Sequence, residues 1–68
     1  MLKPLSKKES EVFSFVVEGL TNDEIARQMN ISTKTVKFHA TAIFKKTEQP
    51  SRSKLIVNYY KNLNKGQI

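Results

Sequence analysis

Lys34, Lys37, Thr41 and Lys45 recur at intervals of three and four residues, with Phe38 next to Lys37. On a helix of about 3.6 residues per turn they therefore share one face. Such a stripe offers ammonium donors, a hydroxyl and one exposed ring, which suits contact with a polyanion. The materials for enzymatic chemistry are missing. The 68 residues contain no Cys and a single His, His39, with no second His or paired carboxylate to support it. No nucleophile–base pair, metal set or phosphate-binding loop can be assembled. His39 is accordingly expected to be a packed, hydrogen-bonded side chain. The chain is expected not to be an enzyme and to need no cofactor and no metal.

The charge distribution points the same way. The net charge is +6, and it is unevenly spread. Residues 31–68 carry Lys34, Lys37, Lys45, Lys46, Arg52, Lys54, Lys61 and Lys65 against Glu48 alone. Residues 1–30 carry slightly more acid than base. A basic half on a folded domain is a candidate polyanion-binding surface; the plainer reading is a solvated lysine surface that aids solubility. The start of the chain has no apolar run, so neither a signal peptide nor a membrane anchor is expected there. Absence of Cys and of any membrane segment makes a cytoplasmic location the expectation.

Four amphipathic helices must position the stripe, and together they fill one domain, residues 1–68. The first is opened by the capping box Ser6-Lys7-Lys8-Glu9, carries Val12, Phe13, Phe15, Val16 and Leu20 at helical spacing, and is closed by Gly19. The second begins with a further capping box, Thr21-Asn22-Asp23-Glu24, and lasts about two turns, with Ile25, Ala26 and Met29 inward. Ser32 caps a third helix from Thr33 to about Lys46, whose inner face holds Val36, His39, Ala40, Ile43 and Thr47. Gln49-Pro50 breaks the chain and Ser51 caps a fourth helix, about 51–63, rich in Leu55, Ile56, Val57, Tyr59, Tyr60 and Leu63. Asn64 to Ile68 reads as a frayed tail. No alternating strand pattern occurs, so the fold class is all-α.

A two-turn helix, a short turn through Asn30, Ile31 and Ser32, and a longer basic helix have helix-turn-helix spacing over about residues 21–46. Ala26 allows close approach of the two axes and Ile31 plugs the turn into the core. The order Leu5-Ser6-x-x-Glu9-x-Glu11-Val12-Phe13, Gly19-Leu20-Thr21-Asn22-Asp23-Glu24-Ile25-Ala26, Ile31-Ser32 and Thr35-Val36-Lys37-x-His39 resembles the LuxR-type, or GerE-type, DNA-binding domain. The resemblance runs from about Leu5 to Tyr60. Two departures stand out. Lys8 replaces the family's usual Arg. After Ile43, the family's Lys-Leu-x-Val becomes Lys46-Thr47-Glu48-Gln49, which puts polar groups at two apolar positions and should alter how the fourth helix packs.

The resemblance implies a sequence-specific, double-stranded DNA-binding transcriptional regulator of bacterial or phage origin. Lys37, Phe38 and Thr41 would meet base edges: a lysine can donate to guanine, and a phenylalanine can meet a thymine methyl. Asn22, Thr33, Lys34, Thr35, Lys45 and Lys46 would meet the DNA backbone. For Lys37 a phosphate contact is the alternative, and Phe38 could instead cover the core edge. Arg52 is either structural or phosphate-facing. Val57 and Tyr60, on the part of the fourth helix that does not cover the first, would form a homodimer contact, because the family's last helix often does so.

Dimer and DNA would share a two-fold operator, with recognition helices about one turn apart. RNA polymerase or another LuxR-type regulator is the further protein partner to consider. The first helix begins at residue 6 or 7, which leaves no room before it for the family's usual phosphoacceptor or autoinducer-binding domain. A stand-alone regulator is therefore expected, and Met1 just before the domain favours a complete chain over one cut from something longer. The rival readings are an interaction protein that pairs with other LuxR-type regulators and modulates them, and a DNA binder of weak sequence preference.

Overall fold

The computed structural model describes residues 4–66. Four helices follow one another, α1 (Lys7–Val17), α2 (Asn22–Met29), α3 (Thr33–Thr47) and α4 (Arg52–Gly66), and the described residues contain no strand. The all-α, helix-turn-helix reading is the observed architecture. α3 lies at the centre, packed on α1, α2 and α4.

The capping boxes form as their chemistry requires. The Ser6 hydroxyl accepts from Glu9 N–H at 3.1 Å while the Glu9 carboxylate accepts from Ser6 N–H at 2.9 Å. Thr21 and Glu24 repeat the exchange at 3.1 and 2.8 Å. Ser32 caps α3 by accepting from Thr35 N–H, and the Ser51 hydroxyl accepts from Lys54 N–H at the start of α4.

α1, α2 and α3 each end on a residue at positive φ, where the next N–H reaches back to a carbonyl of the last turn. Gly19 (φ 93°) does so after α1, with Leu20 N–H bonded to Phe15 C=O. Asn30 (φ 56°) does so after α2, and Glu48 (φ 58°) after α3. Asparagine tolerates this conformation, whereas glutamate pays for its Cβ. Glu48→Gly is therefore expected to raise stability by about 0.5–1 kcal/mol, even after the greater unfolded-state freedom of glycine. Urea unfolding with an unchanged slope would register it, and a loss of stability would contradict the strain.

Val12, Val16, Ile25, Ala26, Val36, Ile43 and Leu55 form the core, with Leu5, Phe13, Phe15, Leu20, Met29, Ile31, Phe44 and Ile56 packed around it. Ala26 and Ile31 hold the turn as anticipated. α4 departs from expectation at its far end. Helix continues through 64–66, where a frayed tail was expected; Gln67 and Ile68 lie outside the described residues. Leu63, one of the apolar residues of the fourth helix, is 44% exposed. It lies one turn beyond Tyr59, whose ring meets Phe13 edge-on at 5.6 Å.

At the altered α3–α4 joint, polar side chains make hydrogen bonds beside the apolar packing of Ile43 and Leu55. Thr47 donates to Ile43 C=O at 2.7 Å, and Asn58 donates its amide to Gln49 Oε1 at 2.6 Å. Beside them Phe13, Thr47, Gln49, Leu55, Asn58, Tyr59 and Asn62 line a shallow cleft of about 210 Å³.

Candidate nucleic-acid interface

Burial of Val36, Ala40 and Ile43 fixes the rotation of α3 about its axis. The opposite face then points to solvent, and it carries Lys34, Lys37, Phe38, Thr41 and Lys45, all exposed. Phe38 is 71% exposed, far more than the core-edge alternative requires. Among the described residues none of Lys34, Lys37 and Lys45 has an acidic partner, the Lys46–Glu9 pair being the salt bridge formed. Three exposed ammonium groups spread along one helix face cost little until a polyanion arrives, when each can replace a bound counterion.

Thr41 has a more restricted chemistry than its hydroxyl suggests. Its Oγ1 donates to the Lys37 carbonyl at 3.0 Å. With that proton used, only lone pairs and the methyl group face outward. Around the start of α3, Thr33 and Thr35 are half-buried, and the Thr35 hydroxyl is engaged with Ser32 at 2.9 Å. The first N–H groups of a helix lack intrahelical acceptors, so this end of α3 offers donors beside Lys34.

Lys46 stands apart. Its ammonium donates to Glu9 Oε1 at 2.7 Å, across 37 residues, with the Glu9 side chain only 10% exposed. It joins α3 to α1 and is already neutralised. This contact, first of all, holds the Glu9 carboxyl below its usual value of 4.5, with help from Ser6 N–H. Glu24 is lowered likewise by Thr21 N–H. A carboxyl whose folded pKa is depressed stabilises fully above its unfolded pKa and loses that contribution as pH falls through the folded value. Melting temperature is thus expected to fall between about pH 5 and pH 3, and Glu9→Gln to lose most of its deficit against the native chain over the same window. An undiminished deficit at the acid end would rule out the Glu9 charge as its source.

Asn22, the first residue of α2, is half-buried, and its Oδ1 accepts from Arg52 Nη1 at 2.8 Å. Arg52 Nη2 donates to Leu20 C=O. Of the two readings open for Arg52, the structure gives it the structural one. His39 is half-buried, yet its Nδ1 is shut from solvent without a hydrogen-bond partner. Packing is as expected there; hydrogen bonding of that nitrogen is not. Among the described residues no group of acidic, His or Cys side chains could hold a metal ion.

On α4, Val57 and Tyr60 are each 47% exposed and adjoin exposed Leu63. Tyr60 also has an internal role, because its hydroxyl donates to Val17 C=O at 2.9 Å. No helix among the described residues is long and apolar enough to cross a membrane.

A short helix braced against a longer one with a free basic face defines a helix-turn-helix domain of the DNA-binding kind. The chain belongs to the luxR family of bacterial regulatory proteins, whose GerE model matches residues 3–59. It is 48% identical over 52 residues to the monoamine regulon transcriptional regulator of Klebsiella aerogenes, covering 76% of this chain and 23% of that protein. It is 38% identical over 58 residues to the transcriptional regulatory protein LiaR of Bacillus subtilis, covering 85% and 28%. For the tetrathionate response regulatory protein TtrR of Salmonella typhimurium the identity is 39% over 57 residues, covering 84% and 28%. The chain thus spans about a quarter of the length of these relatives.

Proposed function

We propose that this chain is a sequence-reading, double-stranded DNA-binding transcriptional regulator that works in the cytoplasm as a homodimer on a two-fold operator. The free basic stripe on α3 carries the reading. Lys37, Phe38 and Thr41 read base edges: Lys37 donates to guanine O6 or N7, and Phe38 meets a thymine methyl. Thr41, its proton given to Lys37 C=O, accepts from an adenine or cytosine amino group. Asn22, Thr33, Lys34, Thr35 and Lys45 hold the backbone. Lys46 is left out, since its charge belongs to Glu9. Val57, Tyr60 and Leu63 form the face that meets the second copy. Naming of the relatives as transcriptional regulators supports the regulatory role.

Salt titration of duplex binding tests the footprint. Lys34→Ala and Lys45→Ala should each flatten the slope of log affinity against log salt by about one unit. Lys37→Ala should cost about 1–3 kcal/mol on the preferred sequence and relax choice at one base pair. Equal loss on every sequence would make Lys37 a phosphate contact, and unchanged slopes would remove Lys34 and Lys45 from the footprint.

The exposed apolar face of α4 favours one second reading, in which the chain modulates other LuxR-type regulators by pairing with them. That reading requires α4-dependent pairing without operator selection.

A further inference from the structure

We infer that Arg52 is a positioning residue for the DNA contact of Asn22, acting through the orientation of the Asn22 amide and making no phosphate contact of its own. The inference rests on the proposed DNA-binding reading. Arg52 opens α4, thirty residues along the chain from Asn22, and its planar fork spends one N–H on Asn22 Oδ1 at 2.8 Å and another on Leu20 C=O. Only the oxygen of an amide can accept from a guanidinium. The bond therefore sets which end of the amide faces Arg52 and leaves Nδ2 on the other side.

Nδ2 makes no hydrogen bond to the described residues, and it is not among the polar atoms closed off from solvent. It thus presents two N–H donors at the entry to α2, the helix that crosses above the DNA backbone in this geometry. A phosphate oxygen accepts only, so an amide turned the other way would offer it repulsion in place of a bond. The half-buried guanidinium is committed to the α1–α2 turn. A lysine there would keep the charge but could not serve both acceptors from one planar group.

The test measures affinity of the full chain for a labelled mixed-sequence duplex at low salt, with thermal unfolding measured alongside. Asn22→Asp keeps the acceptor for Arg52 and puts an acid at a helix start. Its melting temperature should be held or raised, while duplex affinity falls about tenfold or more through loss of the donors and added charge repulsion. Arg52→Met should weaken binding several-fold in the native background and less than twofold when Asn22 is already Ala. Arg52→Lys should lose affinity like Arg52→Met with no change in salt slope, and all comparisons are made at a temperature where circular dichroism shows each variant folded.

Equal cost of Arg52→Met in both backgrounds overturns the inference. A slope lowered by Arg52→Met and restored by Arg52→Lys also overturns it, making Arg52 a phosphate contact. If the native chain binds no duplex at any salt, the DNA-binding reading and this inference fall together; if it binds and the coupling is absent, only the inference falls.

Discussion

Ile43→Ala is expected to leave the domain largely unfolded at 37 °C, by removing about 2–5 kcal/mol from a small fold whose whole stability is about 5 kcal/mol. Ile43 is 1% exposed and lies in the core on α3, which packs on all three other helices, as α1 also does. Four α-helices of this length have little redundant packing, and seven buried apolar side chains form the cluster. The cavity would open where α3 is held in rotation, so the basic stripe would lose its fixed aim before secondary structure is lost. Chemical denaturation at low temperature should give the free-energy loss directly. Duplex binding should return on cooling, because no residue of the stripe has changed. A loss below about 1 kcal/mol would mean that the core repacks around Ala and that α3 is not the keystone.

On the proposed homodimer, Val57→Asp should abolish pairing and lower affinity for a two-fold site by about two orders of magnitude or more, since the second half-site would then no longer bind as part of one unit. Val57 is 47% exposed and makes no contribution to the core, so the melting temperature of the monomeric fold should hardly move. A carboxylate in the middle of an apolar contact is unfavourable on both copies at once, because a two-fold interface repeats each residue. Tyr60 is a poorer choice for the same purpose: its hydroxyl is bonded to Val17, so its removal would disturb the fold as well. Sedimentation would show the mass. Unchanged mass and unchanged affinity for the two-fold site would remove Val57 from any dimer face.

Much of this architecture was legible because short-range chemistry specified it. Two capping boxes and Ser32 marked helix starts through bonds between residues three apart. The stripe was legible because burial of Val36, Ala40 and Ile43 leaves a helix only one way to turn its other side. What escaped depended on partners distant in sequence. Lys46 looked like its neighbour Lys45, and only Glu9, 37 residues away, distinguishes them. Arg52 could not be assigned until the α1–α2 turn was seen against the start of α4. Leu63 is apolar like the core residues yet 44% exposed, a difference its own side chain does not signal. Thr47 and Gln49 signalled an altered joint; the hydrogen bond from Asn58 that completes it had no local signature.

Reading of DNA sequence in two-fold form by the α3 face is what the proposed function requires above all. Selection of bound molecules from a random duplex library, at near-physiological salt, tests it most directly. The expected result is enrichment of an inverted repeat whose half-sites lie about one helical turn apart. Folded protein that enriches no sequence would contradict it and leave pairing through α4, or DNA binding without sequence preference, as the chain's role.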